Sequence, residues 1–332
     1  MIADLLSNFW VALVAKLLLV ALAIPLIGMV VGFGEMKLSA KMQARVGPYF
    51  AGGRWGWAQL LADGIKFFQK EDLIPRDADK PVFKFAPVVV MMGTVALFVV
   101  IPWGPGLIFR DLSVGIFYAL AISSLTTVGV LMAGWSSANK YSLIGGLRAA
   151  GQMIAYELPL VFSALAVVIM AGTMSMQGIV EAQIEAGYPF VILQIVGFVI
   201  FVIASLAELS RIPFDLPIAE SELVMGYLTE YSGFRFLFFF LAEFANMFSM
   251  SAIAVTLFLG GWYLPGIPAD ALEYLGPVIL VVKSLILVFA MIWFRWAFPR
   301  VRQDQLQSLA WKWLIPISLA NVILTGVFKV VL

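Results

Sequence analysis

The sequence predicts an all-α fold: a polytopic membrane protein with eight transmembrane helices and an amphipathic surface helix on the cytoplasmic side. The 332 residues are 62% hydrophobic and only 12% charged, well beyond the apolar share of soluble domains. Apolar runs long enough to cross a hydrocarbon core of roughly 30 Å recur along the whole chain. Because no stretch is typical of a detached soluble domain, we expect residues 1–332 to form a single membrane domain.

Eight apolar runs give the predicted spans, at residues 9–34, 82–103, 113–134, 147–173, 187–209, 233–260, 275–297 and 308–331. An even number of spans places both termini on one side of the membrane. Most of the 21 basic residues lie in or beside the loops after the first, third, fifth and seventh spans, and such loops are cytoplasmic. We therefore predict a protein of the bacterial inner (plasma) membrane with both termini periplasmic. Its cytoplasmic loops should lie at about residues 35–81, 135–147, 210–232 and 297–308.

The first of these loops contains an amphipathic pattern within residues 55–70. Gln59, Asp63 and Lys66 recur at helical spacing, while Leu60 and Phe68 occupy the other side. This pattern predicts a helix that lies on the membrane surface. An ordinary surface anchor with no further role is the alternative.

Ionisable residues also occur inside the predicted spans, namely Lys16, Arg148, Glu157, Glu208, Glu243 and Lys283. Each costs a few kcal/mol in lipid, so such groups normally face the protein interior or a wet cavity. Glu157 lies about midway along its span, and Arg148, Gln152 and Tyr156 form a polar stripe toward it at spacings of four residues. The stripe predicts a polar path into the membrane. A structural ion pair between Glu157 and Lys283 is the alternative.

The loop after the fifth span is rich in carboxylates, with Glu208, Asp215, Glu220, Glu222 and Glu230 in one segment. Two prolines four residues apart prevent a continuous helix there. Crowded carboxylates raise one another's pKa, which would let some of them bind and release protons near neutral pH. Apolar residues interleave with the charges and indicate burial, although a solvated acidic loop is the alternative.

The sequence contains no cysteine and no histidine, the usual ligands of zinc, iron–sulfur clusters and most haems. We therefore expect no metal site, haem or iron–sulfur cluster in this chain, and we also expect no flavin and no covalently bound cofactor. No nucleotide-binding glycine motif, catalytic triad or phosphate loop stands out either. Binding and proton movement are the chemistry that remains, and we expect no nucleic-acid partner.

Two loop signatures resemble a known family. Residues 35–48 (EMKLSAKMQARVGP) and 59–66 (QLLADGIK), together with residues 207–217 (AELSRIPFDLP) and 241–247 (LAEFANM), resemble the H subunit of bacterial NADH-quinone oxidoreductase, or complex I. The mitochondrial counterpart is NADH dehydrogenase subunit 1, and the resemblance runs almost end to end. It implies a respiratory-chain translocase subunit without a redox centre, which lines a quinone chamber and begins the proton-coupling path. Quinone (ubiquinone or menaquinone), membrane lipid and the other membrane and hydrophilic subunits of complex I are the implied partners.

The resemblance also implies roles for particular residues. The implied quinone-binding residues are Glu35, Arg45, Asp63, Lys66, Arg211 and Phe214. The implied proton-path residues are Glu157, Glu208, Asp215, Glu220, Glu222 and Glu230. The chain departs from the family at Ile218, where a glutamate is common, and at Tyr49 and Phe50, which replace an Asn-Arg pair.

Two other functions stay open at this point. A homologous membrane subunit of an energy-converting hydrogenase or formate-linked complex would need no quinone chamber. A stand-alone cation or proton transporter would use the buried acids, but the sequence has no evident internal repeat of the kind common in such transporters.

Overall fold

The computed structural model describes residues 9–331, and every regular element in that range is a helix. In chain order the helices are α1 (Phe9–Met42), α2 (Gln59–Gln69), α3 (Lys80–Leu97), α4 (Gly115–Ser136), α5 (Lys140–Ala171), α6 (Met176–Ala186), α7 (Ile195–Glu208), α8 (Glu220–Leu223), α9 (Gly233–Phe258), α10 (Ala269–Ala297), α11 (Gln303–Leu309) and α12 (Ile315–Val331). Seven helical segments in this range are long and apolar enough to cross a membrane, the last of them running from α11 through α12. The prediction of an all-α, multi-pass membrane protein is confirmed.

The fifth predicted span is shorter than the others. Its helix, α7, has 14 residues, or about 21 Å at 1.5 Å per residue, against a hydrocarbon core of roughly 30 Å. Residues 187–194, which the prediction included in the span, instead form a turn and a 3₁₀ helix at Phe190–Ile192. Pro189 contributes to this break because proline disfavours helical backbone in the residue before it. The eight predicted spans therefore correspond to seven long helices and this shorter apolar one.

Several helix boundaries differ from the prediction. α1 continues past residue 34 to Met42, so Glu35 lies on a helix and not in a loop. α5 begins at Lys140 and not at residue 147, because the side chain of Asn139 caps it by accepting a hydrogen bond from the Tyr141 amide at 2.8 Å. The side chain of Lys16 lies outside the described part of the chain.

Two further elements, α6 and a turn of π-helix, have no counterpart in the prediction, whereas the surface helix has one. α6 was not predicted, although Ser175 is a cap signal: its hydroxyl accepts from the Gly178 amide at 3.1 Å. The predicted surface helix is confirmed as a helix in α2. A turn of π-helix at Ala310–Leu314 joins α11 to α12.

The four basic loops meet at one end of the helix bundle, which we call the basic end. Arg235 pairs with Asp72 at 2.7 Å and Arg300 with Asp215 at 3.0 Å, and Asn139 donates to Glu230 at 2.6 Å. All four loops therefore lie beside one another or beside the helices that flank them. At the other end, Ser175 donates to Asp111 at 2.7 Å. The alternation of loops between two ends agrees with the predicted spans, while the side of the membrane that each end faces stays a prediction.

α9 lies at the centre of the bundle and packs against α1, α3 and α10. Almost every side chain from Phe244 to Phe258 is buried, as expected of a helix that is apolar on all sides. Its first half is less buried and reaches α2 at the basic end. This arrangement places Glu243 between the buried half of α9 and the loops.

Candidate functional site

A group of buried charges lies near the basic end. The Arg211 guanidinium donates to both carboxylate oxygens of Glu35, at 2.9 and 2.8 Å, and its Nη2 atom lies 3.0 Å from Glu243. Arg295 pairs with the same Glu35 carboxylate. We call these four residues the charge cluster. It joins α1, α9 and α10 to the loop after α7, and its two acids balance its two cations.

Arg211 is the centre of the charge cluster. Its side chain is 8% exposed and lies over the Phe244 ring, 5.1 Å from the centroid. Burial lowers its pKa, but Glu243 and Glu35 outweigh that effect, so the pKa is raised and the residue stays charged. Its Nε and Nη2 atoms have no well-aligned hydrogen-bond acceptor among residues 9–331. Because buried ion pairs repay their desolvation only partly, the cluster is weak evidence of a stabilising role.

Asp215 lies beside the cluster in the same loop and pairs with Arg300 at 3.0 Å. Burial raises the pKa of its carboxyl group, Arg300 lowers it, and Glu243 raises it further, so that the pKa is about 6. Burial is therefore a larger cause than the crowding of carboxylates that the sequence indicated. Asp215 changes its protonation close to neutral pH.

A cavity of about 400 Å³ opens between α1, α2 and α9, which we call the membrane cavity. Its size is typical of ligand pockets. Its apolar lining comes from Met36, Leu60, Phe67, Phe236 and Phe240, and its polar lining from Asp63, Lys66 and Lys70. Asp63 accepts hydrogen bonds from Gln59 at 3.0 Å and Lys66 at 3.3 Å, so the polar face predicted for α2 borders the cavity.

A row of aromatic rings connects the membrane cavity with the charge cluster. Phe236, Phe240 and Phe244 are four residues apart on α9, with ring centroids 6.1 and 4.7 Å from one another. The first two rings line the cavity, and the third lies under Arg211. A planar ligand in the cavity would therefore have a continuous aromatic surface toward the buried guanidinium.

Two further acids lie deeper in the bundle. Glu208 ends α7, and its Oε2 atom is buried with no hydrogen-bond partner in the described range. Glu157 is half-buried on α5 and lies close enough to Glu208 to interact with it electrostatically. Lys283 instead donates to three backbone carbonyls, of Leu259, Gly261 and Tyr263, at 2.6 to 3.1 Å. The alternative of a Glu157–Lys283 ion pair is therefore wrong.

The polar stripe on α5 contacts the carboxylate-rich segment between α7 and α9 (residues 209–232), which we call the acidic loop, and the last helices. Arg148 pairs with Glu222 at 2.6 Å. Gln152 donates to the carbonyls of Ala207 and Phe214 at 2.6 and 2.8 Å, and Tyr156 donates to the carbonyl of Leu306 at 3.0 Å. The stripe thus fixes the loop against α5 on the same helix that bears Glu157.

Some predicted site residues lie apart from these groups. Arg45 is exposed and bonds to Gln43 at 2.6 Å, and it does not line the membrane cavity. Phe214 is buried against the Tyr156 ring, with centroids 5.5 Å apart, so it belongs to the apolar core and not to the cavity wall.

The remaining acids of the loop divide by exposure. Glu220 and Glu222 are exposed, as the solvated-loop alternative expects, whereas Phe214 and Leu216 are buried as the interleaved pattern indicated. Glu230 is partly buried and accepts from the Asn139 amide group at 2.6 Å. In the described part of the chain, no cluster of three or more acidic side chains is arranged to hold a metal ion.

Three residues of the site, Glu243, Arg295 and Arg300, were not predicted to belong to it. Glu243 gave a signal, because it is a carboxylate inside an apolar span. Arg295 ends such a span, where a basic residue is ordinary, and only the fold brings it to Glu35.

The family model described as NADH dehydrogenase matches residues 15–326, nearly the whole chain. The chain belongs to this NADH dehydrogenase family. Its relatives include proteins named as the H subunit of NADH-quinone oxidoreductase: one from Geobacillus kaustophilus is 48% identical over 95% of this chain and 92% of its own length. Another, from Bacillus mycoides, is 49% identical over 93% of both chains. The resemblance seen in the two loop signatures is confirmed, and these names do not favour the hydrogenase or formate-linked alternative.

Proposed function

We propose that this chain forms the quinone-binding membrane subunit of a proton-translocating NADH-quinone oxidoreductase and that it contains no redox centre. The observation that best supports this function is the membrane cavity, connected by three aromatic rings to the charge cluster. The names of the family relatives agree with it. Electrons would reach the quinone from hydrophilic subunits at the basic end.

The membrane cavity suits an isoprenoid quinone. Apolar side chains line most of its wall and would contact the tail, while a small number of polar groups would orient the headgroup. Asp63 and Lys66 are such groups on α2. Arg211, with unaligned N–H donors at the end of the aromatic row, would stabilise negative charge on a reduced quinone.

The proton path would begin in the acidic loop. Reduction of a quinone to a quinol takes up two electrons and two protons, so protonatable groups near neutral pH are needed beside it. Asp215, with a pKa of about 6, fits that need. The exposed Glu220 and Glu222, and Glu230 beside them, would exchange protons at the basic end, and Glu208 and Glu157 would continue the path between the helices.

Partners and location follow from the same features. A half-buried carboxylate at mid-membrane, Glu157, is costly in lipid, so a neighbouring membrane subunit would cover it. The exposed acids of the loop would face hydrophilic subunits, and the long apolar helices would contact lipid. We place the chain, as one membrane domain, in the bacterial plasma membrane with the basic end cytoplasmic and both termini periplasmic.

A photoreactive quinone analogue tests the binding site in the assembled complex. The label should attach to residues 59–69 of α2 and to residues 233–244 of α9, and excess quinone should compete it away. Attachment confined to the end opposite the basic end would contradict the assignment.

A carboxylate-to-amide change tests the proton path. Glu157→Gln keeps the shape of the side chain but removes its titratable proton, so quinone reduction and proton pumping should fall together by about tenfold or more. Ser163→Ala is the matched control, because this buried hydroxyl on the same helix bonds only to the Leu160 carbonyl in the described chain. Normal coupled turnover in an assembled Glu157→Gln complex would exclude Glu157 from the path.

A further inference from the structure

A second, much smaller cavity lies between α3, α4, α7 and α9, away from the membrane cavity. Its volume is about 20 Å³, which exceeds the roughly 10–15 Å³ that one water molecule needs and leaves no room for a second. Four polar side chains face it: Ser123 and Thr126 from α4, Glu208 from α7 and Asn246 from α9.

Two buried acceptor oxygens belong to side chains that line this small cavity and have no hydrogen-bond donor in the described range. Ser123 donates its hydroxyl proton to the Leu120 carbonyl at 2.8 Å, and Thr126 donates to the Ser123 carbonyl at 2.7 Å. The Thr126 hydroxyl oxygen therefore offers only lone pairs to the cavity, whereas the Ser123 hydroxyl also lies within hydrogen-bond reach of the Glu208 carboxyl group. The Oε2 atom of Glu208 and the Oδ1 atom of Asn246 are buried, and within residues 9–331 neither has a hydrogen-bond partner.

Such a set of acceptors requires a donor. Each buried oxygen without a partner destabilises the fold, and more so where it is charged. A single water has two O–H donors and two lone pairs, so it satisfies both orphan oxygens at once. A cation would also suit oxygen ligands, which makes sodium dependence a necessary part of any test.

We propose that one water molecule binds in this cavity and bridges Glu208 Oε2 to Asn246 Oδ1, which makes Asn246 a positioning residue for Glu208. When Glu208 is ionised it accepts one proton of the water, and the other proton goes to Asn246. When Glu208 is protonated it donates to the water oxygen, and the bond to Asn246 persists. The carboxyl group thus keeps one orientation in both protonation states. The site itself stands on the cavity geometry, and only its part in proton transfer rests on the proposed function.

Electron cryomicroscopy of the assembled wild-type complex tests the site directly. At a resolution that shows other buried waters, we expect one peak within hydrogen-bond distance of both Glu208 Oε2 and Asn246 Oδ1, and the same peak in sodium-free buffer. No peak there, or a peak present only with sodium and surrounded by short oxygen contacts, would overturn the proposal.

Two variants on α9 separate positioning from packing. Asn246→Leu should remove the peak. It should also shift the infrared stretch of the Glu208 carboxyl group, which is identified as the band that is missing from the Glu208→Gln variant. Ser249→Ala is the matched control, since this buried hydroxyl bonds to the Ala245 carbonyl, and it should leave the peak and the stretch unchanged. An unshifted stretch in Asn246→Leu would refute the positioning role.

Turnover then distinguishes this inference from the proposed function. We expect Asn246→Leu to slow quinone reduction several-fold and Ser249→Ala to leave it unchanged. If Glu208→Gln keeps full coupled turnover while the wild-type peak is present, the proton path through Glu208 is wrong and the water site stands. If Glu208→Gln is inactive but the wild-type peak is absent, the water site is wrong and the proton path through Glu208 stands.

Discussion

Asp215 lies where burial and neighbouring charges act on its carboxyl group in opposite directions. Burial raises its pKa, Arg300 lowers it and Glu243 raises it, with a result of about 6 against an ordinary 3.8. The folded protein therefore binds a proton at pH values where the unfolded chain has lost it. Stability from this group is complete below about pH 3.8 and is lost as the pH rises through about 6.

We expect Asp215→Asn to reduce the fall in melting temperature between about pH 4 and 6, because the amide does not titrate. The effect on the free energy of unfolding has an upper limit of about 3 kcal/mol. Thermal unfolding of the detergent-solubilised complex at a series of pH values measures it. Asp304→Asn is the control: its exposed carboxyl has a pKa lowered by Arg302, so its small effect should have the opposite sign. An unchanged slope in Asp215→Asn would contradict the raised pKa.

Helix α5 contacts the acidic loop closely at Gly145. A Cβ atom on Gly145 would lie 2.7 Å from the Gly226 Cα atom and 2.8 Å from the Tyr227 amide nitrogen. These are backbone atoms of the 3₁₀ helix Gly226–Leu228, which have little room to move. The absence of a side chain at residue 145 thus lets the loop rest directly on α5.

We expect Gly145→Ala to destabilise the chain by about 1–3 kcal/mol through overpacking and to lower the amount of assembled complex. Gly151→Ala, on the same helix, is the matched control, because its Cβ atom would meet only the Gln307 amide nitrogen, at 3.9 Å. Replacing a helical glycine there should be neutral or stabilising by about 0.5–1 kcal/mol. Quantitative recovery of intact complex from membranes compares the two variants. Equal recovery would show that the close contact at Gly145 does not contribute to stability or assembly.

At this scale the sequence predicted most helices, because apolar runs and basic flanks are local patterns. It failed where a competing local signal interrupts an apolar run, as Pro189 does before α7, and where a polar helix continues beyond the membrane, as α1 does at Glu35. The charge cluster was not predictable as a contact: Arg211 and Glu35 are 176 positions apart, and hydrophobic periodicity gives no information on such pairs. The partners of Lys283 are backbone carbonyls, which no side-chain pattern encodes.

For the whole molecule, the distribution of basic residues determines the orientation. We expect cysteines introduced as Glu71→Cys and Ala138→Cys to react only with reagents that enter the cytoplasm. Those introduced as Ala186→Cys and Leu264→Cys should react with impermeant reagents added to intact cells. All four positions are exposed in the structure, and the chain has no cysteine of its own. Labelling of Glu71→Cys from outside intact cells would reverse the topology.

Helices α9 and α10 are connected at both ends of the bundle. At the basic end, Glu243 and Arg295 meet through Arg211 and Glu35. At the other end, Lys283 binds the carbonyls at the end of α9 and in the turn after it, where a helix otherwise lacks partners.

We expect Lys283→Met to accelerate amide hydrogen exchange at residues 256–263, because the final turn of α9 would fray. Lys329→Met is the control, since that ammonium group contacts the Met170 carbonyl and should affect only that region. Unchanged exchange in Lys283→Met would show that the lysine is dispensable there.

Because α9 and α10 are joined at both ends, we expect the two helices to tilt as one rigid body and to resist local bending. A change of charge in the charge cluster would then move the opposite end of the same helix pair, without any side chain passing between the two ends.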